Sequence, residues 1–312
     1  MTDFTTGGRA TVRDVLVDAE RRLERAGVPS PSVDASELVA FALGTTRTRL
    51  FLHDRLDPDQ RVRVEQLITQ RLNRVPLQHI TGTAPFRRLV VSVGPGVFIP
   101  RPETELVAEA AIRFLGEFPE SERVAVDLCT GSGAIALSLA TEVPGSRVAA
   151  VELDDVAVGW TRANVTAHQA LIDAAGSSLD VMHADATTVA QNALASLRGL
   201  CVVVACNPPY IPSGMVPREP EVRDHEPRIA LYGGEDGMDL VRRILTTAAE
   251  LLRPGGRLVI EHADVQGPAG SQGGVPAVVM NARDADGQPL FRDVVDRTDF
   301  NGRPRFTVAA RT

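Results

Sequence analysis

Val126-Asp127-Leu128-Cys129-Thr130-Gly131-Ser132-Gly133-Ala134-Ile135-Ala136 is an apolar run that breaks at two closely spaced glycines and then resumes at helical spacing. It reads as strand, tight turn, helix. Glycine lets a backbone approach a ligand where a Cβ would collide, and a helix N-terminus offers free N–H groups to it. Outward from this unit the same texture recurs. Strand-like runs stand at residues 124–129, 148–151, 179–183, 200–206 and 257–261, and helical patterns separate the early ones. That alternation implies an α/β fold with a parallel sheet covered by helices on both faces. Residues 291–295 and 305–310 suggest a closing antiparallel pair. Residues 267–276, rich in Gly, Pro and Ser, are expected to form a flexible loop.

Upstream the pattern changes. Val12, Val15, Leu16, Ala19, Leu23 and Ala26 repeat at helical spacing up to Gly27, and Leu38, Val39 and Phe41 follow Ser32 up to Gly44. Asp57-Pro58 reads as an N-cap and first helical residue, followed by Leu67, Ile68, Leu72 and Val75 on one face. Residues 1–84 are therefore expected as a small all-helical domain. Leu89, Val91 and Val93 alternate with polar residues before Gly94-Pro95-Gly96, so residues 85–99 are expected as a β-hairpin linker and 100–312 as the second domain.

Composition narrows the chemistry. Acids outnumber bases to give a net charge of −7, which does not suit sequence-independent attraction to phosphate backbones. Residues 1–85 carry 12 Arg against 11 acids, too nearly neutral to grip DNA. The 33 cations are all arginine, which excludes Schiff-base and P-loop lysine chemistry. Cys129, Cys201 and Cys206 form no CxxC pair and the histidines show no metal-ligand spacing, so no metal is expected. The N-terminus has no basic region followed by an apolar stretch, and Leu200–Cys206 falls far short of the roughly 20 residues that span a bilayer. A cytoplasmic chain with no membrane contact is expected.

Two signals carry chemistry. Glu152 ends the strand after the glycine turn, about 20 residues on, where an acid accepts both hydroxyls of a ribose. Gly131-Ser-Gly133-Ala-Ile-Ala136 fits both a dinucleotide and S-adenosylmethionine (SAM), so the turn alone does not choose between NAD and SAM. Asn207-Pro208-Pro209-Tyr210, at the end of the strand Val202–Cys206, does choose. Two prolines donate no N–H, Pro209 restricts Pro208, Asn207 adds a side-chain carbonyl and Tyr210 a flat ring. That set suits a planar –NH2 group, with two acceptors for its N–H bonds and a ring for its π-face. The plainer alternative is an ordinary loop or a polyproline ligand. Arg101, Glu103 and Thr104 either close over the site or form a salt-bridged joint. His225-Glu226-Pro227 lines a substrate channel or lies in a surface loop. Glu261-His262 reads first as a satisfied strand-end pair and second as an acid/base pair, and Trp160 reads as packing.

Asn-Pro-Pro-Tyr after such a turn resembles the amino-group methyltransferases. Residues 76–82 (PLQHITG) and 98–105 (FIPRPETE) resemble the segments flanking the linker in the release-factor glutamine methyltransferases, the HemK or PrmC family. Residues 127–136, 207–210, Glu221-Val222 with His225-Glu226-Pro227, and 252–261 fit the same pattern. Departures are Cys129 at a turn position often held by Gly, Ala186 where some relatives carry an aromatic residue, and residues 267–276 where relatives commonly continue into a helix. The resemblance implies a Rossmann-like class I SAM methyltransferase sheet behind a helical substrate-recognition domain. It implies N5-methylation of the glutamine in the Gly-Gly-Gln loop of class I peptide chain release factors by a monomer that does not bind DNA. By position, Cys129, Thr130, Gly131, Ser132, Gly133, Glu152, Asp185, Ala186 and Asn207 would surround SAM. Asn207, Pro208, Pro209 and Tyr210 would hold the glutamine, with Asn207, Pro208 and Tyr210 in the catalytic role. Methylation of another protein glutamine or of a DNA amine, an NAD-dependent dehydrogenase, and a SAM-binding adaptor are the competing readings.

Overall fold

A computed structural model describes residues 11–270 and 273–312. The chain divides into two compact units. The first takes in the described residues up to Thr83 together with Pro217–His225, and the second takes in Ala84–Val216 and Glu226–Thr312.

In the first unit, α1 (Val12–Arg25), α2 (Pro31–Ala42), α3 (Pro58–Leu72) and α4 (Leu77–Thr81) surround buried Leu23, Leu38, Val39 and Ile68. Local signals set the helix starts. Thr11 and Asp14 exchange hydrogen bonds ahead of α1, and Asp57 and Gln60 do the same ahead of α3, satisfying N–H groups a helix leaves bare.

A hairpin of β1 (Thr83–Phe86) and β2 (Leu89–Ser92), in the second unit from Ala84 on, is earlier and shorter than the expected 85–99. Beyond it, Gly94-Pro95 lies against Trp160, whose Nε1 donates to the Pro95 carbonyl at 3.3 Å. A Cβ at Gly94 would sit 2.6 Å from the indole, so glycine there is what lets the strap close on the ring. Then follow α5 (Thr104–Gly116), β3 (Val124–Leu128), α6 (Ala134–Glu142), β4 (Arg147–Glu152), α7 (Asp155–Ala174), β5 (Ser178–His183) and β6 (Cys201–Cys206). After α8 (Pro220–His225) come α9 (Asp239–Leu251), β7 (Leu252–Glu261), α10 (Gly274–Met280), β8 (Phe291–Thr298) and β9 (Pro304–Arg311).

Seven strands form one sheet in the order β5-β4-β3-β6-β7-β9-β8, parallel except for β9, which runs antiparallel to β7 and β8. This is the expected doubly wound α/β fold with its closing antiparallel pair. Alternate residues feed two cores: Ala125 and Val203 face Ala111, Leu115 and Leu137, whereas Val126 and Val204 face Ile244, Leu245 and Val275. Strand order reverses between β3 and β6, where open α/β sheets form their ligand crevice. Registers Leu128↔Val151, Leu128↔Cys206 and Cys206↔Ile260 bring the C-terminal ends of β3, β4, β6 and β7 to one edge. The expected loop at 267–276 is corrected in part. Residues 274–276 begin α10, whose apolar Val275 and Val279 bury against the sheet, and residues 271 and 272 lie outside the described residues. No helix among the described residues is long and apolar enough to cross a membrane.

Residues 217–225, expected in the second domain, belong to the first unit, and charge explains why. Arg71 has a side chain only 5% exposed, with Nε 2.6 Å from Asp34 Oδ2 and Nη2 2.8 Å from Glu221 Oε1. Arg74 takes Glu221 in a two-pronged grip at 2.8 and 2.7 Å. Burial pushes the Glu221 carboxyl up, but hydrogen bonds from Arg74 and Arg71 outweigh it and hold it below the usual carboxylate range. Removing one member of a buried ion pair strands the other in low dielectric. Arg71→Met is therefore expected to destabilise the first unit by about 3–5 kcal/mol, and Arg71→Met with Asp34→Leu to recover most of that. Urea denaturation checks this, and an unchanged midpoint in the single variant refutes it.

Candidate functional site

The turn after β3 is held in shape by its own polar atoms. Cys129, Gly131 and Gly133 all have positive φ, at 60°, 59° and 85°. The Thr130 N–H donates to the Val151 carbonyl at 3.0 Å and its hydroxyl donates to Asp127 Oδ2 at 2.5 Å. The same Asp127 oxygen accepts the Ala136 N–H at 3.1 Å, so one carboxylate oxygen ties strand, turn and helix together. Burial pushes the Asp127 carboxyl up to about 7 against those two hydrogen bonds, with the nearby Glu152 charge adding to the rise. Glu152 accepts from the Gly131 N–H at 2.8 Å through one oxygen, and from the N–H groups of Leu153 and Asp154 at 2.8 and 3.0 Å through the other. Ser132 is buried, and its carbonyl accepts from Asn164 Nδ2 at 2.9 Å. A side chain at Gly131 would point into open space, whereas one at Gly133 would press on Thr161 at 3.0 Å.

Asp185 follows β5 and accepts from both the N–H and the hydroxyl of Thr187, at 2.8 and 2.7 Å. The Ala186 side chain is packed into the core beside Val189, so only its backbone is available to a ligand.

Asn207 begins the loop after β6. Its Nδ2 donates to the Thr104 hydroxyl at 3.3 Å, and among the described residues its Oδ1 accepts no hydrogen bond. Pro208 is buried, and Pro209 and Tyr210 are half-buried. The following backbone is fastened on three sides. Ile211 N–H donates to the Leu231 carbonyl at 2.8 Å, Gly233 N–H donates to the Ile211 carbonyl at 3.0 Å, and Gln266 Nε2 donates to the Tyr210 carbonyl at 3.0 Å. Gly233 and Gly237 make this closeness possible, since a Cβ on either would lie 2.3 Å from the Pro209 oxygen or 2.2 Å from the Tyr210 oxygen.

Glu261, at the end of β7, is buried with its Oε2 lacking a hydrogen-bond partner among the described residues, and burial pushes its carboxyl up to about 7. Its neighbour His262 is satisfied separately, with Nε2 2.9 Å from Asp296 and Nδ1 2.9 Å from the Ala263 carbonyl. The strand-end pair thus splits. The 101–104 cluster splits likewise: Thr104 reaches Asn207, while Arg101 pairs with the buried Glu226 at 2.5 Å. Burial pushes the Glu226 carboxyl up, opposed by the Arg101 charge.

The segment 14–82 matches the family described as PrmC N-terminal domain, and 95–215 matches the methyltransferase small domain. A release factor glutamine methyltransferase of Streptomyces coelicolor is 46% identical, with 95% of this chain and 96% of that protein covered. One from Mycolicibacterium smegmatis is 43% identical over 96% of this chain and 98% of its own. One from Deinococcus radiodurans is 37% identical over 96% and 98%. The chain belongs to the release factor glutamine methyltransferase family. It is a SAM-dependent enzyme.

The residues present fit that family's cofactor. The turn beside Gly131 opens onto free space, and Asp127 Oδ1 is buried with no hydrogen-bond partner among the described residues. No cluster of His, Cys, Asp or Glu among the described residues is arranged to hold a metal ion. The turn-holding role of Asp127, and Gly233, Gly237 and Gln266 altogether, escaped the motif reading. Only Asp127 had a signal, as the lone charge in an otherwise apolar strand.

Proposed function

We propose that this enzyme methylates N5 of the glutamine in the Gly-Gly-Gln loop of class I peptide chain release factors. SAM supplies an electrophilic methyl group on a sulfonium. The glycine turn (Cys129, Thr130, Gly131, Ser132, Gly133), Glu152, Asp185, the backbone of Ala186 and Asn207 surround it. Residues 1–84, together with 217–225, recognise the release factor, 85–99 link the two domains, and the rest of 100–312 carries the transfer. The enzyme acts as a monomer on protein and not on DNA.

One observation carries the reading. The donor end of Asn207 is tied to Thr104, which leaves its carbonyl end as the acceptor. The next two residues are prolines and bring no N–H into the loop. Asn207 Oδ1 and the Pro208 carbonyl then accept the two N–H bonds of a carboxamide, and the Tyr210 ring supports its plane. An amide nitrogen is a poor nucleophile because its lone pair is shared with the carbonyl. Alignment of that nitrogen with water excluded contributes up to about 7–11 kcal/mol. The two acceptors also favour partial positive charge on it.

Incubation with methyl-labelled SAM and a class I release factor tests this. Label is expected on the intact factor and not on a factor whose Gly-Gly-Gln glutamine is replaced by alanine. Equal labelling of both refutes the acceptor.

A further inference from the structure

The glycine turn presents to a ligand whichever backbone groups its peptide planes turn outward, and two side chains of α7 decide which these are. Gly133 N–H donates to the Thr130 carbonyl at 2.9 Å, which closes a four-residue turn with Gly131 and Ser132 at its centre. The peptide group between those two is the one that the turn's own hydrogen bond does not hold. Gly131 has φ 59° and no side chain, so the backbone resists rotation least there. In a trans peptide the C=O and the following N–H point in opposite directions. Fixing the Gly131 carbonyl therefore fixes the Ser132 N–H.

Thr161 does the fixing. It is fully buried, and its single hydroxyl proton has two carbonyls in reach, Gly131 at 2.6 Å and Ala157 at 3.0 Å. A helical threonine commonly gives that proton to the carbonyl four residues back, here Ala157, but the turn lies nearer. Asn164, three positions on along the same face of α7, is also fully buried and holds the next carbonyl, that of Ser132, through Nδ2 at 2.9 Å. Its other Nδ2 hydrogen goes to the Ser92 carbonyl at 2.9 Å, and its Oδ1 accepts the Ser92 N–H at 2.7 Å. Ser92 offers it one donor and one acceptor, which leaves the carboxamide a single orientation. Ser92 ends β2, so Asn164 braces the turn on the hairpin. Ser132 is 3% exposed, and its N–H has no hydrogen bond among the described residues. Buried backbone donors are paired as a rule, so this one is left for a ligand.

We infer that Thr161 and Asn164 are positioning residues for SAM, a role that rests on the turn being the SAM site. With the Gly131 and Ser132 carbonyls held against α7, the turn meets the cofactor with the Ser132 N–H and not with a carbonyl oxygen, which would repel an acceptor atom or carboxylate of SAM.

Calorimetric titration of SAM and amide nuclear magnetic resonance spectra of the full-length enzyme test this. Thr161→Val keeps the shape of the side chain and deletes its hydroxyl. It is expected to weaken SAM binding by at least about tenfold. Its kcat at saturating SAM stays within about threefold of wild type, because the defect lies in the turn and not in the loop after β6. Thr161→Ser keeps the hydroxyl and binds SAM within about threefold of wild type. Without cofactor, the Ser132 amide signal moves in Thr161→Val and stays in place in Thr161→Ser. Asn164→Asp keeps an acceptor for the Ser92 N–H but loses the donor to the Ser132 carbonyl, and it too weakens SAM binding by at least about tenfold. Wild-type affinity in Thr161→Val, or equal weakening in Thr161→Val and Thr161→Ser, overturns the role of Thr161. Wild-type affinity in Asn164→Asp overturns that of Asn164. In the wild type, SAM is expected to shift the Ser132 amide signal. A signal that SAM leaves unmoved removes the turn as the cofactor site, and the cofactor-free spectra then still decide whether Thr161 holds the peptide.

Discussion

Asn207→Ala is expected to lower methylation of the release-factor glutamine by about 10²–10³-fold, with SAM affinity kept within about threefold. The first magnitude is that of removing one preorganised polar group from a reacting centre. Deleting the carboxamide takes away the Asn207 side-chain acceptor and leaves the Pro208 carbonyl to orient the two N–H bonds of an –NH2 group. One hydrogen bond fixes a direction but leaves rotation about it free, so the plane of the substrate amide is no longer set. The cofactor side loses less, because the turn from Cys129 to Gly133 is held by Asp127, Glu152 and the Val151 carbonyl and not by Asn207. Asn207→Asp makes a sharper case. It keeps an acceptor but loses the Nδ2 donor that ties the side chain to the Thr104 hydroxyl, so turnover between that of wild type and Asn207→Ala is expected. Steady-state kcat with a release factor, alongside calorimetric titration of SAM, separates the two effects. An alanine variant with near-normal turnover removes Asn207 from the reaction.

What could be read in the sequence was what neighbours in sequence decide. The turn at 129–133 showed itself because strand, glycines and helix are contiguous, and Asn207 to Tyr210 because their missing donors are a property of proline itself. A parallel sheet with helices on both faces followed from alternation of strand and helix, whereas the order of its strands did not. The supports of the site lie elsewhere in the chain and leave no periodic trace. Thr104 and Asn207 are 103 positions apart, and Gln266 reaches back 56 to hold the Tyr210 carbonyl. Glu261 and His262 are adjacent, yet Glu261 ends β7 with its Oε2 unpartnered among the described residues, whereas His262, just past the strand, reaches Asp296 on β8. The assignment of 217–225 to the first unit was illegible for the same reason. Glu221 is an ordinary surface acid until Arg71 and Arg74, about 150 residues earlier, enclose it.

Gly233 provides the strongest test of whether the backbone of the Pro-Pro-Tyr loop, and not only its side chains, sets the rate. Gly233 is not among the glycines with positive φ, so alanine costs nothing there through backbone conformation. The cost comes entirely from neighbours, because an added Cβ lies 2.3 Å from the Pro209 oxygen and 2.5 Å from the Gly237 oxygen. Both are backbone atoms and neither has a side-chain torsion through which to yield. The Gly233 N–H and carbonyl are also committed, to the Ile211 carbonyl at 3.0 Å and the Asp239 N–H at 2.9 Å. The strain must then move the segment from Pro209 to Ile211 away from Gly233. Displacement of a positioning element by about 1 Å costs on the order of 10² in rate. Overpacking of this kind costs about 1–3 kcal/mol in stability. Gly233→Ala is therefore expected to fold, bind SAM normally and lose about 10²-fold in kcat. Gly214→Ala is the control, since Gly214 follows the same motif, has no positive φ and would place its Cβ in open space. Its kcat should match wild type. Full activity in Gly233→Ala would mean that the loop tolerates movement, and alignment by the Pro208 carbonyl would then lose its standing as a source of the rate.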